Sequence, residues 1–522
     1  MTPAVSDPHA RAAPDETLAL GPLLYAYGYD AARERHALSV LLAVPEGASA
    51  PHLEAEGTGI DATEVDRIQG LTFLRYDFEL PRAGGRYSVD GCTRRIALGG
   101  PEDDLRVAYV SCNGKEEGDF DRPPAERDAM WARLHADHKA APFSLLIMGG
   151  DQIYADAALS AHPDVARWNE TAPKRMPALP ASAEAEEAVT AVFLDRWSRS
   201  VRSAPVAALQ AEVPAIAMWD DHDIFDGYGS HPAEVQDSPI GQMMYRVARR
   251  IFRLFQAGGR DPAHAGTLTR ALAQPGFHVL APDLRSERRP DRVMGEAGWQ
   301  ATEAAFAALP ARERVFLVST VPALGPRLSL VEAVHRLIPG AQRYEDDLRD
   351  QWQSRAHRAE WRRFLQLAAD HADGCGPVTF LSGEIHLAGR GEMRTPAGTL
   401  LHQLTASGVS HPPPPALFAR ALGALGALGE APLQGYPISL YPLPGGRRRY
   451  VAERNVLLLE RQNGVWRAAW DLEVSGRTDW LLLSGSDRDT DSGSGAGDAR
   501  RRPDRIASPQ DTPHAAERTA AP

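Results

Sequence analysis

Cysteine is scarce: the 522 residues hold three, Cys92, Cys112 and Cys375. So odd and widely spaced a set does not make a disulfide framework of the secreted kind. Long apolar runs are lacking too. No stretch approaches the roughly 20 residues that a membrane-spanning helix needs. The opening "MTPAVSDPHARAAPDETLALGP" has no basic start followed by an unbroken apolar region, as a secretory signal would. The expectation is a cytoplasmic protein without membrane association. Positive charge is in deficit, with 57 basic residues against 69 acidic ones and a net charge of -12. That balance argues against broad nucleic-acid binding and leaves room only for a local basic pocket. There is no G-x-S-x-G elbow, so serine-hydrolase chemistry is not expected. None of these features fixes an oligomeric state.

What is present suffices for a core, since 43% of residues are hydrophobic, as in ordinary globular proteins. Residues 1–20, rich in Ala, Pro and Asp, read as a flexible leader. Residues 21–100 carry "LLYAYGYDAARERHALSVLLAVP", "FLRYDFELP" and "RYSVDGCTRRIALGG", apolar segments broken by Gly and Pro. They predict a small β-rich N-terminal domain. Over 101–483 strands and helices alternate, which predicts a catalytic α/β domain around a largely buried sheet. Its helices are expected in "PPAERDAMWARLHADHKAA" and over about 184–210, 239–257, 299–309 and 357–371. Within it, 411–432 is a proline stop followed by a small-residue helix, a candidate cap. Residues 484–522, rich in Gly, Ser, Asp, Arg and Pro, cannot bury a core and read as a disordered tail.

The chemistry gathers where strands end. "AYVSCNG" ends in Cys112 and Asn113, and "LLIMGGDQIYAD" in Asp151, with Tyr154 and Asp156 close by. "AIAMWDDHD" ends in Asp220, Asp221, His222 and Asp223, and "VTFLSGEIH" in Glu384 and His386. The strand "RVFLVSTVPALGP" ends in no such groups and serves as an internal control. In α/β proteins the loops after strand ends converge on one crevice. Taken singly, Cys112 fits buried packing and "DDHD" fits a helix N-cap. Together, thiol, carboxylate and imidazole make a metal-ligand set. A multivalent cation turns mutually repelling carboxylates into favourable ligands, and a bridging Asp would serve two ions. By contrast, His135 and His138 fall on one helix face and are assigned to a solvated or partly packed helix surface.

In these four blocks, taken in order over about 106–410, the chain resembles the PhoD-like (alkaline phosphatase D) branch of the calcineurin-like metallophosphoesterases. The supporting stretches are "DLRSE" and "DDLRDQW". The resemblance implies a four-layer α/β/β/α sandwich holding two or more metal ions. Iron with calcium is the implied pairing, with manganese or zinc left open. Carried over residue by residue, Cys112 binds the first metal and Asp151 bridges. Tyr154 lies at or beside a metal, Asp221 stands for the superfamily's asparagine ligand, and Glu384 and His386 form the last block. His222 matches the histidine facing the substrate phosphate, and Asn113 contacts a metal or the phosphate.

The implied activity is hydrolysis of a small phosphate ester, diester or monoester, by a metal-bound hydroxide attacking in line. His222 would protonate the leaving oxygen or stabilise charge, with Asp223 or Asp226 orienting its other ring nitrogen. Arg285 and Arg343 are read as phosphate clamps or as surface ion pairs. The rival expectation is a non-catalytic member that binds a phospho-ligand or a protein through the same metals.

Overall fold

Short apolar runs bounded by turn residues become the parallel centres of two sheets in the computed structural model, which describes residues 20–171, 179–261, 266–326 and 350–484. Leu20 and Ser484 apart, the expected leader and tail lie outside the described residues, as does Arg343. The first sheet has 11 strands. Its middle runs Asn455–Gln462, Leu105–Val110, Leu145–Gly149, Ala215–Met218, Leu20–Asp30, Arg35–Pro45. The four strands from Leu105–Val110 to Leu20–Asp30 are mutually parallel. The second sheet has 8 strands around parallel Phe277–Ala281, Arg314–Val318, Val378–Ser382 and Leu400–Thr405.

Side-chain alternation along these strands builds the layers. Leu105, Val107 and Tyr109 point into the core shared with Phe316, Val318, Leu381 and Leu404 of the second sheet. Ala108 and Val110 point the other way, onto Trp131 and Leu134 of helix Ala129–Ala140 and Leu209 of helix Ala204–Glu212. On the second sheet, Leu317 and Phe380 face Trp299 of helix Glu296–Ala307 and Trp361 and Phe364 of helix Arg358–Gly374. Helix, sheet, sheet, helix: the four-layer sandwich is realised.

Two local features differ from expectation for plain reasons. The region over 184–210 is two helices, Ala183–Val201 and Ala204–Glu212. Pro205 lacks an N–H and sits in the first turn of the second, so the chain restarts there. The N-terminal region is β-rich, but its long strands are not set apart. Leu20–Asp30 pairs in parallel with Ala215–Met218 at Tyr25 and Ala215, so this region extends the first sheet. Only Leu53–Ala55, Thr58–Ile60, Gly84–Val89 and Cys92–Ala97 form a small sheet of their own. Among the described residues no helix is long and apolar enough to cross a membrane.

Candidate metal centre

The strands that carry the chemistry end in unusual backbone. Cys112, Asp151, Glu384 and His386 are left-handed, with φ of 55°, 48°, 62° and 52°. The other described non-glycine residues with positive φ, Glu34, Glu56, Gln69, Asp90, Arg312 and Asn463, all lie in turns. Such a conformation costs about 1–3 kcal/mol per residue and persists only where the surroundings hold it. Here they do. The Cys112 N–H donates to Gly150 O (3.1 Å), the Asn113 N–H to Asp151 O (2.8 Å) and the His411 N–H to Cys112 O (3.1 Å). Gly150, at φ 105°, lets the chain pass where a Cβ would stand 3.1 Å from that of Asp220.

This backbone brings together three sets of potential ligands, the atoms of each within 4.8 Å of one another. They are Cys112, Asp151 and His386; Asp151, Asp220 and Asp221; and Asp221, His222 and Asp226. Asp151 belongs to two sets and Asp221 to two. Asp151 Oδ2 lies 3.4 Å from Cys112 Sγ, while Asp151 Oδ1 and Asp220 Oδ2 are buried with no hydrogen-bond partner. An orphaned buried carboxylate oxygen is costly in a protein interior, and a cation is the partner that suits it. The donor set therefore fits metal ions.

The electrostatics agree. Burial, then Asp221 and Asp220, push the Asp151 carboxyl well above its usual range. Burial and then Asp151 push up the Cys112 thiol. Burial raises Asp220 to about 6, with Arg285 opposing the shift. His386 is driven well below its usual value by burial and by His411. These are groups whose ionised or unprotonated forms, the forms that ligate, gain most from a positive charge in their midst.

His222 is prepared differently. Its burial opposes protonation, but Asp156 and Asp221 outweigh it and hold the imidazole well above its usual value. His222 Nδ1 is 2.8 Å from Asp156 Oδ2, and its Nε2 is 4.0 Å from both Glu116 and Asp226. The orienting carboxylate is therefore Asp156, not Asp223 or Asp226. Asp223 is a structural acceptor: it takes the backbone N–H groups of Gln152 (3.1 Å), Ile153 (3.2 Å) and Asp220 (2.9 Å), and the Gln256 amide (3.0 Å). Asp156→Asn is expected to lower kcat about 10–100-fold while metal content, read by elemental analysis, is kept. Asp223→Asn is expected to act instead on folding, seen as a lowered melting temperature.

Other expected residues also take different tasks. Asn113 is buried with both ends engaged: its amide donates to Ser200 Oγ (2.9 Å) and Gln152 O (3.2 Å), and its oxygen accepts from Trp131 Nε1 (2.8 Å) and Ser410 Oγ (3.0 Å). It pins the loop rather than meeting a substrate. Arg285 is neither a clamp nor a surface pair. Fully buried, it is bound by Asp220 and Asp350, donates to Tyr228 O (3.1 Å) and lies 3.3 Å from Asp221. Arg285→Ala would strand those carboxylates, and a loss of about 3–5 kcal/mol of stability in urea unfolding is expected.

The Glu384 carboxylate accepts from Gln351 Nε2 (2.7 Å) and falls in none of the three ligand sets, while its backbone N–H turns to the Cys112 sulfur. Tyr154 does lie at the centre. Its hydroxyl is 3.1 Å from His386 Nε2, and its ring packs on His222 and His411 with centroids 4.3 Å and 5.3 Å apart.

Asp220 and three residues not singled out in the sequence, Ser407, His411 and Glu116, also belong to the site. Asp220 completes a ligand set. Ser407 Oγ lies 3.1 Å from Cys112 Sγ and accepts the His386 N–H (2.9 Å). His411 stacks on His386 and is 3.3 Å from Glu116. Ser407 and His411 follow the strand Leu400–Thr405, whose end carries no carboxylate to mark it.

Residues 117–262, which include Asp151, Tyr154 and the "WDDHD" block, match the family described as PhoD related phosphatase. A solved structure of PhoD superposes with a TM-score of 0.53 at 12% identity, covering 90% of each chain. A dimetal phosphatase from Danio rerio gives a TM-score of 0.35 at 12% identity, over 73% of this chain and 99% of that one. An uncharacterized protein of Saccharomyces cerevisiae, YGR266W, is 23% identical over 411 residues. The match takes in 63% of this chain and 58% of that relative, so the chain spans less than two thirds of its length. The resemblance read from the four motif blocks is borne out.

Proposed function

We propose that this relative of the PhoD-like phosphatases hydrolyses small phosphate esters with two cations held around Asp151. The observation that carries the reading is the sharing of Asp151 between a thiol–imidazole set and a carboxylate set, with one of its oxygens unpartnered. Cys112, Asp151 and His386, with Tyr154 beside them, offer soft and imidazole donors that suit a transition metal such as iron. Asp151, Asp220 and Asp221 offer oxygens that suit a harder cation such as calcium. Cations bound there supply Lewis-acid polarisation of the phosphoryl group and acidify a water.

The chain's own groups do the rest. Asp156 holds His222 through Nδ1, and Nε2 lies 4.0 Å from Glu116. A water gives up a proton to solvent as its oxygen bonds to phosphorus, the ester P–O bond breaks, the leaving oxygen takes its proton from Nε2, and the imidazole regains one from solvent. A cytoplasmic setting, where thiols stay reduced, suits Cys112. The test is hydrolysis of chromogenic phosphodiesters and monoesters by purified protein, stripped with chelator and reloaded with single metals or pairs. Activity that follows metal is expected. Tight binding of a phosphate ester without turnover in every metal would favour a binding role instead.

A further inference from the structure

Among the described residues, helix Ala416–Gly426, in the candidate cap segment, is anchored on one side only. Ala419 and Leu422 pack with Leu387, Leu440 and Tyr450, in a cluster that also takes in Ile385, the residue between Glu384 and His386. Gly426 allows the close fit, since a Cβ there would stand 2.6 Å from Leu440 Cδ1. Leu417 (75% exposed) and Phe418 (47%) of the helix, and Leu428 (66%) just past its end, face water. These are three of the six large hydrophobic residues left exposed among those described. A patch of this kind marks a surface that something covers.

Charge says what. The helix carries Arg420 and no acidic residue, and it lies against the loop bearing exposed Arg447 and Arg448. The two segments meet where a Cβ on Gly423 would stand 3.7 Å from Arg449 Cβ. Among the described residues, Glu430 is paired with Arg358 at 3.3 Å, and Asp479 sits beside Gly445. In a chain of net charge -12 this is a local basic and apolar face. Docking two copies face to face would set these arginines against one another. We infer that this face docks on an anionic lipid bilayer. Leu417, Phe418 and Leu428 enter the acyl boundary, and Arg420, Arg447 and Arg448 meet the headgroups. The expectation of no membrane association weighed only spanning segments, and a helix lying in the interface plane is not one. Docked this way, the helix holds the metal centre beside the bilayer through Ile385.

The experiment is flotation of the full chain with vesicles of phosphatidylcholine alone and of phosphatidylcholine with phosphatidylserine. Binding to the anionic vesicles is expected, weakening with salt. Leu417→Ser with Phe418→Ser and Leu428→Ser, and separately Arg447→Ser with Arg448→Ser, are each expected to lower partitioning about tenfold or more. Circular dichroism and hydrolysis of a soluble chromogenic ester stay unchanged in both. Absence of wild-type binding at low salt, or binding by both variants equal to that of wild type, overturns the inference. So does a concentration-dependent dimer in sedimentation that the serine variant dissolves while vesicle binding is absent.

Discussion

Replacing Asp151 with Asn is expected to lower kcat/KM for any phosphate ester by about 10³-fold or more, with loss of bound metal. The two ligand sets that share this residue have no other carboxylate in common. Removing its charge therefore weakens both positions at once, whereas loss of Cys112 or Asp220 touches one. The amide keeps the side chain's shape, so the fold survives. Stripped of metal, the variant is expected to melt above the stripped wild type, because a buried carboxyl no longer crowds Asp220 and Asp221. Higher metal-free stability with lost activity would separate a ligand from a merely structural residue. Unchanged activity in metal-replete buffer would remove Asp151 from the mechanism.

The second large effect belongs to His222. His222→Ala is expected to cost about 10²–10⁴-fold in kcat, with metal content retained. The cost should depend on the leaving group. A nitrophenolate departs without a proton, so its ester should lose little, whereas an alkyl ester should lose the full factor. A uniform loss across leaving groups would show that His222 stabilises charge rather than delivering a proton.

The strands were legible because they are apolar runs with turn residues at both ends, and alternation assigns their faces; that they stack as a four-layer sandwich was implied only by the resemblance. The candidate ligand positions were legible for a related reason. Cys112, Asp151, Asp220, Asp221 and His386 each interrupt or follow an apolar strand, where packing alone gives no reason for such groups. Side-chain direction was not legible. Asp223 follows His222 directly, yet the short 3-10 turn over Asp221–Asp223 swings its carboxylate onto the backbone of Gln152 and Ile153.

Asp156 reaches the imidazole from a segment 66 residues away. Arg285 reads as a polar loop residue until Asp350, 65 residues on, is seen to bury it. The left-handed backbone at Glu384 turns its N–H to the thiol and sends its carboxylate to Gln351, which no spacing announces. His411 hid behind an ordinary strand end and a run of prolines.

The central claim is that one carboxylate serves two cations, one of them also held by a thiol. Elemental analysis of protein purified without chelators, done in parallel on wild type, Cys112→Ser and Asp151→Asn, tests it most directly. Two metal ions per chain in wild type, one in the cysteine variant and fewer still in the aspartate variant are expected. A wild-type chain that binds no metal after reloading, or one whose metal content is indifferent to both substitutions, would contradict the account.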